Sequence, residues 1–175
     1  MNEEQKRRLA LLFSTFVKIF SHESLLRRCL HIHELLSGPV SQLLGVKPAL
    51  TIGSFQRLDR DRILCLTTEQ DIKTAVASGI ITPYLGFHAW LTLPSLEILD
   101  FTLEATLRAA KGRELSDAGF DLGHQSQLAI RYFPVAIGND IRKRCHLPGP
   151  PREQARIAPH LADRVIRELS ATPPA

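Results

Sequence analysis

The sequence predicts an α+β domain in which helices at the amino-terminal end pack on a mostly antiparallel sheet. The first observation is a run of apolar residues from Leu9 to Phe20 at the spacing of an amphipathic helix. The second is a pair of apolar runs rich in β-formers on either side of Pro94-Ser95, which is typical of a β-hairpin. The third is that further strand-like segments follow the first helices, an order that favours helices and sheet in separate parts of the fold.

The predicted helices are supported by capping residues at their ends. Asn2 is a suitable N-cap for a first helix over 3–20, and Glu3 and Glu4 then lie in its first turn, where they complement the helix dipole. A second helix is expected over 24–37, because Gly38-Pro39 stops or kinks it, with a further turn or two over 40–44 after the kink, ending at Gly45. The later helices are expected over 68–77, capped by Thr68, over 103–110, ending at Gly112, and over 152–169.

The predicted strands are short apolar segments between turn signals. They are expected over 48–55, 63–67 and 128–133, with the hairpin over 86–102. Gly53, inside the first strand, suggests a bulge or a close approach of another backbone. The segment over 114–127 has no clear period and is expected to be irregular.

Length and composition favour a single globular domain. The chain has 175 residues, of which 44% are apolar and 23% charged, which is enough to bury a core without disulfides. We assign residues 1–147 to one α+β domain. Residues 148–175 are assigned to a proline-rich linker and a C-terminal helix that docks on the domain or extends from it.

The charge pattern does not favour a nucleic-acid partner. The net charge is +4, and basic residues occur in runs of only two or three, such as Arg142-Lys143-Arg144. A nucleic-acid interface needs a continuous basic stripe with aromatic or groove-reading elements. Binding to DNA or RNA is therefore the weakest interpretation, and the pattern does not indicate an oligomeric state.

Three cysteines at unrelated spacings indicate a reducing compartment, and we expect a cytoplasmic protein. The apolar run from Leu9 to Phe20 is interrupted by Lys18 and is too short to span a bilayer. No small-residue cleavage site follows it before His22-Glu23. We therefore expect neither a signal peptide nor a membrane partner.

The hairpin carries the first candidate site residues. If Pro94 to Leu96 form its loop, Trp90 lies opposite Asp100, and His88 becomes a diagonal neighbour of Asp100 on the same face. A carboxylate on one imidazole nitrogen fixes the tautomer and raises the basicity of the other nitrogen. His88 and Asp100 thus form the orienting half of a nucleophilic triad.

Cys29 is the candidate nucleophile. Cysteines react as thiolates, which a helix N-terminus and cationic neighbours favour, and Cys29 lies in the first turns of the second helix beside Arg27 and Arg28. Cys65 lies between apolar residues of a predicted strand and is expected to be buried. Cys145 comes just before the proline-rich linker, a poor place to hold catalytic geometry.

These residues carry a resemblance to a known family. A helical cysteine, then His88-Ala89-Trp90 on one strand and Ile98-Leu99-Asp100-Phe101-Thr102 after a hairpin, resembles the transglutaminase-like branch of the papain-like thiol enzymes, in particular its small bacterial members. The match covers roughly residues 25–102. It implies a papain-like or transglutaminase-like core, with Cys29 as nucleophile, His88 as general base and acid, and Asp100 as the residue that orients His88.

The resemblance implies a thiol hydrolase or acyltransferase, such as a cysteine protease, an amidase or a transglutaminase-like enzyme. It would act through an acyl-enzyme on a peptide or protein substrate, without a metal or another cofactor. The alternative is a catalytically decayed member of the same fold that serves as a protein-binding module. Loss of thiolate reactivity at Cys29 would favour that alternative.

Further residues are expected around this site. Trp90 and Gly86 are candidates for the substrate cleft, although Trp90 also fits a core position and Gly86 a simple strand start. The family usually forms its oxyanion hole from the backbone N–H of the cysteine and an upstream side chain, for which His22 and Ser24 are the candidates. His31 and His33, two residues apart on a helix, point in different directions and do not predict a metal site.

Overall fold

The computed structural model describes residues 1–26, 28–57, 63–64, 68, 70–71, 73–74, 87–145, 147, 149–150 and 152–171. The helices are α1 (Glu3–Phe20), α2 (Cys29–Leu44), α3 (Leu103–Ala109), α4 (Ile141–Arg144), α5 (Arg152–Ile157) and α6 (Pro159–Ala171). The strands are β1 (Ala49–Arg57), β2 (Ile63–Leu64), β3 (His88–Thr92), β4 (Ile98–Asp100), β5 (Asp121–Gly123) and β6 (Ile130–Ile137). The chain is thus α+β, as predicted.

Parts of two predicted elements lie outside the described residues. These are 65–67 of the predicted strand and much of the helix predicted over 68–77. Where that helix begins, the Asp71 backbone N–H donates to Thr68 Oγ1 at 3.1 Å, and Asp71 Oδ2 accepts from the Thr68 backbone N–H at 2.8 Å. This reciprocal pair is a capping box, so the predicted cap at Thr68 is confirmed.

Helix α1 has the predicted bounds and the predicted cap. The Asn2 side chain accepts a hydrogen bond from the Gln5 backbone N–H, and the Gln5 side chain accepts one from the Asn2 backbone N–H. Leu9, Leu12 and Phe16 are completely buried, because the apolar stripe packs into the core.

Helix α2 begins later than predicted, and it ends at Gly45, where the turns predicted after Pro39 also end. A 3₁₀ turn over Glu23–Leu25 precedes it, Leu26 is extended, and the helix begins only at Cys29. It then continues through Pro39 to Leu44 and ends at Gly45, whose φ of 68° is left-handed. Burial of apolar side chains on both sides of Pro39 stabilises the helix against the lost backbone hydrogen bond; these side chains are Leu35, Leu36, Val40 and Leu43.

The strands form one antiparallel sheet in the order β6–β1–β3–β4–β5, with β2 paired to the C-terminal part of β1. In the β3–β4 hairpin, Leu91 pairs with Leu99 and Thr92 with Ile98. Continuing this register places Trp90 opposite Asp100, which confirms the predicted hairpin.

Two strand predictions were wrong. The segment predicted to be irregular contains β5, which pairs with β4 through three residues that show no alternation in the sequence. Strand β6 continues through Pro134 to Ile137 instead of ending at 133. Pro134 is accommodated because, among the described residues, β6 pairs only with β1 and shifts register next to Pro134.

The close backbone approach predicted at Gly53 is confirmed. The register between β1 and β6 shifts between Ile52 and Gly53. A Cβ atom added to Gly53 would lie 2.0 Å from the carbonyl oxygen of Phe133 and 2.9 Å from the ring of Trp90. Only glycine fits at this crossing of strand and aromatic ring.

The C-terminal helices dock on the domain. Helix α6 contacts α1 and α2 and buries Leu161, Ala162 and Val165 in the same apolar core. The single helix predicted over 152–169 is instead two helices, because Pro159 disfavours helical backbone at the preceding residue. No helix of the described ranges is both long and apolar enough to cross a bilayer.

Candidate functional site

Three secondary-structure ends meet at the site. Cys29 is the first residue of α2, His88 is the first residue of β3, and Asp100 is the last residue of β4. Because β3 and β4 are antiparallel, the start of one lies beside the end of the other. The hairpin therefore presents His88 and Asp100 together, next to the beginning of α2.

Asp100 is buried and accepts hydrogen bonds on both oxygens. Oδ2 accepts from His88 Nε2 at 2.5 Å and from the Tyr132 hydroxyl at 3.0 Å. Oδ1 accepts from the backbone N–H groups of Thr102 and Leu103 at 3.0 and 3.1 Å, and from the Thr102 hydroxyl at 3.2 Å. These bonds fix the carboxylate at the start of α3 and point one oxygen at His88.

Cys29 is the third member of the site. Its side chain lies close enough to raise the pKa of His88, and Nδ1 is the ring nitrogen of His88 that Asp100 does not occupy. Cys29 is half-buried, whereas His88 is only 5% exposed. As the first residue of α2, Cys29 also lies where backbone N–H groups have no intrahelical partner and the helix dipole favours negative charge.

The site favours a charged imidazole at neutral pH. Burial opposes ionisation, but the Asp100 charge, the hydrogen bond to Asp100 and the neighbouring Cys29 side chain outweigh it and raise the pKa of His88 to about 10. Burial also opposes ionisation of Asp100, yet the charge and hydrogen bond of His88 hold the pKa of Asp100 well below its usual range. An imidazolium next to a thiol favours the thiolate, which is the nucleophilic form.

The site includes residues that the sequence analysis did not assign to it. Tyr132, on β6, donates to Asp100, and its ring packs edge-on against Trp90 at 4.9 Å. His33 contacts both the Cys29 backbone and the segment after Asp100. The spacing of four residues between Cys29 and His33 was a usable signal, since such residues share a helix face. Tyr132 had no comparable signal, because the pairing of β6 with β1 brings it to the site.

Trp90, for which the sequence allowed a cleft or a core position, lies in the core. It is only 1% exposed and belongs to an apolar cluster beneath His88, whose ring stacks on it at 6.3 Å. This is the core position that the sequence also allowed for Trp90, and the indole supports the His88 ring from the interior. Gly86, the other predicted cleft residue, and Cys65 lie outside the described residues.

The side chains predicted for the oxyanion hole make other contacts. The Ser24 hydroxyl donates to the Ser21 carbonyl at 2.8 Å, within the turn that precedes α2. The His22 ring packs edge-on against Phe13 at 6.2 Å. Cys145, at the end of α4, is completely buried in the core. Within the described ranges, no three histidine, cysteine or acidic side chains are arranged to hold a metal ion.

The raised pKa of Asp121 predicts how the stability of the folded protein depends on pH. Burial and the charges of Asp100 and Glu104 raise the pKa of Asp121 to about 6, whereas the unfolded value is near 4. The folded state therefore holds this proton more tightly, so stability falls as the pH rises from about 4 to about 6. We expect the Asp121→Asn protein to lack this fall. Between pH 4 and pH 8, its free energy of unfolding should drop by about 1 kcal/mol less than that of the wild type.

Urea unfolding at pH 4 and pH 8 measures this difference. If the free energies of unfolding of the wild type and of Asp121→Asn change in parallel between pH 4 and pH 8, the raised pKa of Asp121 is contradicted. Asp117→Asn, an exposed carboxylate in the preceding turn, is the matched control and should leave the profile unchanged.

Comparisons of this chain with models of protein families, with curated proteins and with solved structures find no match.

Proposed function

We propose that this protein is a thiol hydrolase or acyltransferase in which Cys29 is the nucleophile, His88 the general base and acid, and Asp100 the residue that orients His88. One observation carries the proposal. The Cys29 side chain at the start of α2 lies close enough to His88 to raise the pKa of its ring, and Nε2 of that ring is held by the buried Asp100 carboxylate at 2.5 Å. A nucleophile, a base and an orienting acid in this order are the arrangement that acyl transfer requires.

The proposed reaction has two half-reactions. The Cys29 thiolate attacks the carbonyl carbon of an amide, a C–S bond forms, and the carbonyl electrons move to oxygen. When the tetrahedral intermediate collapses, the C–N bond breaks and the His88 imidazolium gives its proton to the leaving amine. Water or an amine then attacks the acyl-enzyme, His88 takes the proton from this nucleophile, and the Cys29 thiolate leaves.

The first turn of α2 would stabilise the oxyanion. The backbone N–H of Cys29 belongs to the helix start, where donors have no intrahelical acceptor. Such fixed donors stabilise the charge that develops on the carbonyl oxygen. Ser24 would contribute only after releasing the Ser21 carbonyl, and His22 only after leaving Phe13.

The proposed enzyme belongs with the transglutaminase-like branch of the papain-like enzymes and acts on a peptide or protein. Its support is the sequence pattern around His88 and Asp100, together with the placement of Cys29 at a helix start. The other candidate function is a decayed member of that fold that binds a protein partner. Inertness of Cys29 would favour this binding role.

Alkylation of Cys29 tests the proposal. We expect iodoacetamide at pH 7 to modify Cys29 about tenfold faster than N-acetylcysteine, because the imidazolium of His88 favours the thiolate. In His88→Ala, the rate should fall to that of N-acetylcysteine or below. Peptide mass spectrometry reads the modification at each cysteine, and the buried Cys145 should stay unmodified in the folded protein.

His160→Ala is the matched control. It removes an exposed histidine from α6 and should leave the Cys29 rate unchanged. A Cys29 rate equal to that of N-acetylcysteine, or one that His88→Ala does not lower, would refute the proposed ion pair. Amide and peptide substrates are then screened only if Cys29 reacts faster than N-acetylcysteine and this advantage depends on His88.

A further inference from the structure

A second buried imidazole lies next to the site. His33 is on α2, four residues after Cys29, and is completely buried. Its Nδ1 lies 2.7 Å from the Cys29 carbonyl oxygen, and its Nε2 lies 2.9 Å from the Phe101 backbone nitrogen. A carbonyl only accepts and a backbone N–H only donates, so both bonds together require the neutral tautomer that carries its proton on Nδ1.

These two bonds join the two sides of the site. Cys29 opens α2, whereas Phe101 directly follows Asp100 at the end of β4, 68 residues from His33 in the sequence. The Nε2 atom also lies 3.5 Å from Asp100 Oδ1. One imidazole ring thus spans the backbone of the nucleophile and the backbone beside the orienting carboxylate.

The charge state of His33 suits this place. Burial lowers the pKa of His33 to about 4, against the opposing influence of the Asp100 charge. At neutral pH His33 is therefore uncharged. Among the contacts of the described residues, the Asp100 carboxylate then faces one cationic ring, that of His88.

We infer that His33 is a positioning residue for the proposed acyl-transfer reaction: its imidazole ties the Cys29 carbonyl to the Phe101 amide and so sets the position of Cys29 relative to His88 and Asp100. The inference rests on the proposed function. Side chains that lack a donor and an acceptor at these two points leave the Cys29 carbonyl and the buried Phe101 N–H without their partner, and the start of α2 is then free to shift.

Three variants separate positioning from simple packing. His33→Gln keeps one donor and one acceptor at the end of the side chain, so it can reproduce both bonds. His33→Leu fills the space without either bond. His33→Asn has the same polar groups on a side chain that is one methylene shorter, so it reaches only one partner. His31→Gln, on the same helix, is the matched control.

The measured quantities are the rate of Cys29 alkylation by iodoacetamide, its pH profile from 5 to 9, and the thermal melting of each variant. We expect His33→Leu and His33→Asn to slow alkylation at pH 7 at least fivefold and to shift the pH profile upward. His33→Gln and His31→Gln should stay within twofold of the wild type with an unshifted profile.

The outcomes distinguish this inference from the proposed function. If wild-type Cys29 reacts slowly or independently of His88, the proposed function fails. If Cys29 is fast and dependent on His88, a folded His33→Leu or His33→Asn protein with the wild-type rate and profile overturns the role of His33. Should those two variants not fold, His33→Gln decides: a fivefold loss of rate with unchanged melting overturns the role, and a retained rate supports it.

Discussion

We expect Asp100→Asn to slow the alkylation of Cys29 at neutral pH by up to about tenfold, the rate advantage that the proposed imidazolium supplies, because loss of the Asp100 charge lowers the pKa of His88 by about 1 to 3 units. The Asp100 charge is a major cause of the raised pKa of His88, and without it the imidazolium is less populated. The amide also has one oxygen where the carboxylate has two. Its NH₂ group must face either the His88 and Tyr132 donors or the backbone donors of Thr102 and Leu103.

The experiment compares alkylation rates of the wild type, Asp100→Asn and Asp121→Asn. Asp121 pairs with Asp100 across β4 and β5, and its Oδ2 lies 3.5 Å from the same Tyr132 hydroxyl. Asp121→Asn is therefore the matched control, since it makes the same substitution on the neighbouring strand. We expect Asp121→Asn to retain the rate within about threefold, since no hydrogen bond joins it to His88 among the described contacts. An Asp100→Asn protein that melts cooperatively and reacts at the wild-type rate would contradict the orienting role of Asp100.

We expect Gly53→Ala to lower the free energy of unfolding by about 3 kcal/mol, at the upper end of the cost of overpacking. The added methyl would lie 2.0 Å from the Phe133 carbonyl oxygen, which is backbone and cannot rotate away. Relief requires β1 and β6 to separate or the Trp90 ring to move. In a domain of this size, such a loss lowers the melting temperature by about 6 to 12 °C.

Gly38→Ala is the matched control for this prediction. Gly38 lies inside α2 and is exposed, and a Cβ atom there meets nothing within 4 Å. Replacing a helical glycine with alanine should raise stability by up to about 1 kcal/mol. Urea unfolding measures both variants. Equal stabilities for the two would show that β6 does not pass over Gly53 as closely as the structure places it.

Gly53 also connects stability to the site. It pairs with His88 across β1 and β3, and the Trp90 ring that approaches it stacks beneath His88. Movement of Trp90 in Gly53→Ala would therefore displace the imidazole. We expect slower Cys29 alkylation in this variant at temperatures where it is still folded.

The elements that the sequence predicted correctly depend on local chemistry. Helix α1 follows from its apolar period and from the cap at Asn2, both of which lie within the segment itself. The hairpin register follows from a three-residue loop and from alternation along two strands, so Trp90 falls opposite Asp100 without help from the rest of the chain. The same alternation brought His88 and Asp100 to one face.

The elements that the sequence predicted wrongly depend on distant partners. Helix α2 remains one helix through Pro39, where a stop or a kink was predicted, because residues on both sides of the proline are buried against other elements. Strand β5 forms because β4 is available for pairing along its edge. Strand β6 accommodates Pro134 because the register between β6 and β1 shifts next to that residue. Local propensity is too weak to decide such cases against tertiary packing.

The sequence by itself determined the α+β class and the hairpin with His88 and Asp100, and it named Cys29 as the candidate nucleophile among three cysteines, since each follows from residue type and short-range spacing. Only the tertiary structure decided that α2 begins at Cys29, that this side chain lies close to His88, that Trp90 is buried beneath His88, and that His33 and Tyr132 hold the surrounding groups. The Tyr132–Asp100 and His33–Phe101 bonds join residues 32 and 68 positions apart, and the packing of the chain, which no local pattern encodes, sets these distances.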